Sequence, residues 1–108
     1  MSQQLASVTD SINALLDRIA RGETPQRACL EETLTDGYAC ALSLDAECGR
    51  LERRISENAA ELSGSDGAEW ARELSALSRL LARRRRELDT LRGLLVALRA
   101  GVQEARVA

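Results

Sequence analysis

The sequence predicts an all-α protein: a long antiparallel two-helix coiled-coil hairpin with a short N-terminal amphipathic helix packed on its open end. Three observations carry this expectation. From Trp70 to Ala105 a stripe recurs every three and four residues, with Arg84 its one charged member among eleven. A second stripe of the same period runs from Leu30 to Leu62. The two are joined by Ser63-Gly64-Ser65-Asp66-Gly67, a link short enough to make the helices antiparallel neighbours.

Composition agrees. The 108 residues hold one Trp, one Tyr and no Phe, so the core is Leu, Ala, Ile and Val, suited to helix–helix packing. A single proline, Pro25, leaves the rest of the chain free to be helical. Net charge is −2, but it is unevenly spread. Residues 1–67 carry 6 Arg against 12 acids, and residues 68–108 carry 9 Arg against 5, as suits two segments that fold together. The chain reads as one helical domain over residues 1–108.

The first helix is expected over about residues 3–21. Leu5, Val8, Ile12, Leu15 and Ile19 form its apolar stripe, widened by Leu16, with Ser2 as N-cap. Arg21 followed by Gly22 ends it, a cation in the last turn and a left-handed glycine after it. Thr24-Pro25 then reads as N-cap and first residue of a second helix over about 25–63. Its stripe is Leu30, Leu34, Gly37, Ala41, Leu44, Cys48, Leu51, Ile55, Asn58 and Leu62. Asp36-Gly37 often makes a turn, yet the heptad passes through it without a slip, which predicts a continuous helix. There Gly37 permits close approach of a neighbour at a cost of about 1 kcal/mol relative to Ala.

The turn is expected at 64–67, with Gly64 closing the second helix and Asp66 with Glu69 starting the third, over about 68–106. Folding the chain near residue 66 sets Leu51 against Leu81, Cys48 against Arg84, Gly37 against Leu95 and Leu34 against Leu98. One flank then pairs Asp45 with Arg85 and Glu31 with Arg99. The other, with Thr33, Cys40, Leu94 and Gly101, carries less charge and is the ledge for the first helix. The third helix spans roughly 54 Å at 1.5 Å per residue, so residues 46–87 are expected to form a two-helix tip. Two helices bury little surface alone, which calls for a second copy, most simply a symmetric dimer, or for a protein partner.

Candidate sites are few. Arg84 is either a polar element that sets register, oligomer state or partner choice, or a long stem whose guanidinium reaches Glu47 or another acid at the edge. Arg72, Arg79, Arg83 and Arg86 fall on one strip of the third helix and form a basic stripe. Tyr38, on a flank beside Arg92, is placed to stack on that guanidinium or to seat another chain. These six residues are the candidate partner-binding set. Cys29, Cys40 and Cys48 lie too far apart on one helix for disulfides and read as small packing residues of a reducing compartment.

No residue pattern indicates a cofactor, a metal or catalysis. With no His there is no Ser-His or Cys-His pair, and too few soft ligands accompany the cysteines for zinc. The longest apolar run, Leu94–Leu98, is far short of a membrane span, and no signal segment is evident. The expected function is a small cytoplasmic protein-interaction module, a regulator, adaptor or chaperone-like protein that presents helix faces. The alternative is binding of nucleic acid or an anionic ligand through the arginine stripe. Interleaved aromatics and a base-reading motif, which would favour that alternative, are lacking.

Overall fold

The computed structural model describes residues 2–61 and 67–107, with side chains described from 3 to 61 and from 67 to 104. Three helices account for nearly all of them: α1 (Ser2–Ala20), α2 (Arg27–Glu61) and α3 (Gly67–Val107). The fold is all-α, with α2 and α3 packed most closely and α1 laid on them, as the hairpin pattern requires. The Ser2 cap, Leu62, the Gly64 and Asp66 turn and the Ala105 seam position lie outside the side chains or residues described.

α1 ends as the sequence indicates, and the geometry gives the reason. Gly22 has φ +84°, a conformation that is costly for a residue with a Cβ. It allows Gly22 N–H to donate to the Ile19 carbonyl at 3.0 Å and Glu23 N–H to the Arg18 carbonyl at 3.0 Å. This pair of bonds is a Schellman closure. In place of the apolar contact that often accompanies it, Arg18 and Glu23 approach at 3.9 Å.

α2 starts later than Thr24-Pro25 suggests. Its first turn is closed by Leu30 N–H donating to the Gln26 carbonyl at 3.1 Å, and residues 23–26 are not helical. Pro25 is buried in this connection rather than standing at the head of the helix. Burial of its ring in this connection, on a cavity wall shared with Ile19 and Leu30, outweighs the modest preference of proline for a first helical position. From Arg27 the helix runs unbroken through Asp36-Gly37 to Glu61.

The described residues form two compact units. The first, Met1–Leu42 with Asp89–Ala108, contains α1 and parts of α2 and α3. Its core includes Val8, Ile12 and Leu15 from α1, Leu30, Cys40 and Ala41 from α2, and Leu91, Leu95 and Leu98 from α3. Ile12 and Leu98 are wholly inaccessible to solvent. The ledge is used as expected, for Thr33 and Cys40 are buried and the Ile19 side chain packs against Gly101. At Gly37 side chains of both other helices approach α2. A Cβ built on it would overlap Leu95 Cδ2 and lie 3.6 Å from Ile12 Cδ1.

The second unit, Ser43–Leu88, is built by α2 and α3 alone. Cys48, Leu51, Leu77 and Leu81 form one buried cluster, with Ile55 and Leu80 packed against it. The heptad register is therefore met in this unit, with Leu51 and Leu81 in one cluster.

Glycine substitutions separate packing from propensity. Gly93→Ala meets no neighbour within 4 Å and should stabilise the protein by up to about 1 kcal/mol through helix propensity. Gly37→Ala should instead destabilise it by about 1–3 kcal/mol, because overlap with a buried leucine exceeds the propensity gain. Urea unfolding of the two variants checks the opposite signs.

Candidate functional site

The six candidate residues divide between the units. Tyr38 belongs to the first and is 41% exposed. The arginines belong to the second, and the helix geometry of α3 sorts them by direction. Arg72, Arg79, Arg83 and Arg86 are exposed on its outer face, and none forms an ion pair with a described residue. Spaced seven, four and three residues apart, they share one strip about 21 Å long at 1.5 Å per residue. Ser75, Ser78 and Leu74 accompany Arg72 and Arg79 there, lining an open surface groove.

Arg84 points elsewhere. Its Nε donates to Glu47 Oε1 at 3.0 Å and its Nη1 to Glu87 Oε1 at 3.0 Å. The three side chains keep 18%, 17% and 24% of their surface, so the triad is largely but not wholly desolvated. Hydrogen bonding to Glu47, set against burial, holds the guanidinium above its ordinary pKa, with the Glu47 and Glu87 charges adding to the effect. The stem crosses at a seam position and the head reaches Glu47, as the edge-reaching reading expects. Glu87, three residues further along α3, is a second acid held by the same head. Two carboxylates share one cation, and Glu47 Oε2 is buried with no partner among the described residues. The Asn58 Nδ2 atom, another polar group on the seam, is in the same condition.

The remaining hairpin charges correct the expected flank. Arg85 donates to Glu52, one heptad nearer the turn than Asp45. Side chains on a helix lean toward its N-terminus. In an antiparallel pair, Arg85 leans toward the turn and Glu52 leans away from it, so they converge. Glu31 likewise takes its bond from Arg27, one turn earlier on its own helix at 2.9 Å, instead of from Arg99. Arg54 and Glu73 approach at 4.0 Å, both well exposed, and add little.

The cysteines are free thiols. Cys40 and Cys48 are buried packing residues as expected, but Cys29 is exposed. In the first turns of α2 the inward face is occupied by Leu30 and Thr33, which leaves Cys29 on the outside. Burial raises the pKa of Cys40. For Cys48 burial is again the largest cause, opposed by Arg85 and reinforced by Glu47, Asp45 and Glu52. Among the described residues no group of three or more His, Cys, Asp or Glu side chains converges on a metal position. No described helix is long and apolar enough to cross a membrane.

Two outcomes follow from this chemistry. Arg84→Leu should destabilise the protein by about 1–3 kcal/mol, because Glu47 and Glu87 would be left close together and uncompensated. The value is set below that of a fully buried pair because of the residual exposure. Adding Glu47→Leu should recover much of the loss, and denaturant unfolding of the double-mutant cycle measures the coupling. A loss below about 0.5 kcal/mol for the single change would assign the triad no role in stability.

A thiol reagent near pH 8 should titrate Cys29 quickly in the native protein, and all three cysteines only in denaturant. The raised pKa values of Cys40 and Cys48 keep them neutral where unfolded thiols ionise. Their contribution to stability is therefore full below the ordinary thiol range, near 8.5, and falls as pH rises above it. A second fast thiol in the native state would contradict the assigned burial.

Comparison of the chain with known protein families, with curated proteins and with solved structures finds no match.

Proposed function

We propose that the protein is a protein-interaction module, a regulator, adaptor or chaperone-like element that works by presenting helix faces to a protein partner. The observation that supports this most directly is the division among the α3 arginines. Arg84 and Arg85 are each bonded to glutamates of the hairpin, whereas Arg72, Arg79, Arg83 and Arg86 have no ion pair with a described residue and face outward. Internal stability accounts for the first group. The second costs the fold its mutual repulsion, and an acidic helix lying along the stripe would offset it.

A protein partner is favoured over nucleic acid by the surroundings of the stripe. The chain is net acidic, and no aromatic side chain falls between the stripe arginines to stack on bases. Self-association is a second way of engaging these surfaces. Tyr38 and Leu42, one turn apart on α2, are 41% and 72% exposed and offer apolar anchors for a symmetric dimer.

Charge reversal tests the reading. Arg79→Glu with Arg83→Glu should leave helicity and melting temperature nearly unchanged, since both sites are exposed, and should abolish capture of an acidic protein partner retained by the wild type. Under the alternative, wild-type protein would bind a DNA duplex with an affinity that collapses between low and moderate salt. Sedimentation reports on the dimer. A monomer at all concentrations up to the high micromolar range would remove self-association from the proposal.

A further inference from the structure

The first unit contains a cavity of about 410 Å³ where the end of α1, the connection to α2, the first turns of α2 and the last third of α3 converge. Its inner wall is aliphatic: Ile19, Pro25, Leu30, Leu34 and Val102. Its rim is polar, with Arg27, Glu31, Arg99, Thr24 and Gln103. The volume lies in the lower part of the range for small-molecule sites, and an apolar wall with a few polar groups at the mouth is their usual composition.

The charges at the rim are not equivalent. Arg27 Nε donates to Glu31 Oε1 at 2.9 Å, so these two largely neutralise one another. Arg99 has no ion pair with a described residue, which leaves one uncommitted guanidinium at the mouth. A second source of positive potential lies beside it. The first bond within α2 is made by Leu30 N–H, so the amides of Arg27, Ala28 and Cys29 have no intrahelical acceptor and the helix dipole points its positive end toward this region.

We propose that this cavity binds a medium-chain aliphatic carboxylate, its chain against Ile19, Leu30, Leu34 and Val102 and its head group on the Arg99 guanidinium. Each part of the ligand follows from the lining. The wall has no aromatic ring to stack on a planar ligand, which selects a flexible aliphatic chain. One uncommitted guanidinium matches one carboxylate, which it can bind through two parallel hydrogen bonds. A dianion would need a second cation, and the neighbouring Arg27 is already occupied by Glu31. The site is independent of the arginine stripe and of the function proposed from it.

The test uses the full chain at physiological salt and follows methyl resonances by NMR during titration with decanoate, decanol and decyltrimethylammonium. Decanoate is expected to give saturable shifts at Ile19, Leu30, Leu34 and Val102, with decanol weaker and the ammonium weakest. Arg99→Gln should weaken decanoate about tenfold, the loss of one charge-assisted contact, and leave decanol unaffected. Arg99 is exposed, so the variant should fold, and unchanged helicity verifies this. Arg79→Gln, on the stripe of the second unit, should leave decanoate binding intact. The proposal is overturned if decanoate gives no saturable shift or if the ammonium binds as well. It is equally overturned if Arg79→Gln matches the effect of Arg99→Gln, or if the same methyls shift with protein concentration alone, which would make a second copy the occupant.

Discussion

A leucine stripe that continues for ten turns of helix cannot be hidden by its own helix, and this constraint governs the protein. The stripe of α3 must lie along another apolar surface, and in each unit α2 supplies it. Every stripe position described is buried or half-buried, from Leu30 to Asn58 on α2 and from Trp70 to Val102 on α3. Once the two stripes meet, their register determines which residues can be small. At Gly37 both a leucine of α3 and an isoleucine of α1 stand close against α2. The missing side chain at that position is what admits Leu95 of α3, with Ile12 of α1 at ordinary contact distance beside it.

Electrostatics is subordinate to this packing but shaped by it. An arginine at a seam position is tolerable because two glutamates stand close enough to take its charge. Arg84 thus resembles the buried polar groups of other coiled coils, whose unpaired alternatives are penalised more strongly than their own pairing is rewarded. The same helix turns Arg72, Arg79, Arg83 and Arg86 outward, with no ion pair to a described residue. Sequence neighbours from Arg83 to Arg86 meet quite different surroundings for no reason beyond the 100° turn between successive residues.

Much of the architecture is legible in the residues because helical periodicity is a local property. The stripes, the passage through Asp36-Gly37, the left-handed Gly22 and the low-charge ledge for α1 can all be read from spacing and residue type. Features that depend on where side chains reach are less accessible. Arg85 reaches Glu52 because both side chains lean along their helices, a displacement that matching positions by number ignores. Pro25 shows the same limit for the backbone: its local preference for a helix start gives way to burial against residues from other elements. The cavity beside it is still harder to foresee, since four separated segments build its wall and no spacing within any one of them announces it.

The hairpin also imposes a hierarchy of loop closures. Contacts near the turn join residues close in sequence, as in the cluster holding Leu51 and Leu81, thirty positions apart. Gly37 and Leu95 are fifty-eight apart, and Ile19 and Gly101 eighty-two. Each step outward costs more chain entropy to close from the unfolded state, but far less once the preceding contacts have formed. Two short closures are therefore available independently, Leu51 with Leu81 and Ile12 with Gly37, and contact of the first helix with the last becomes cheap only after they have formed.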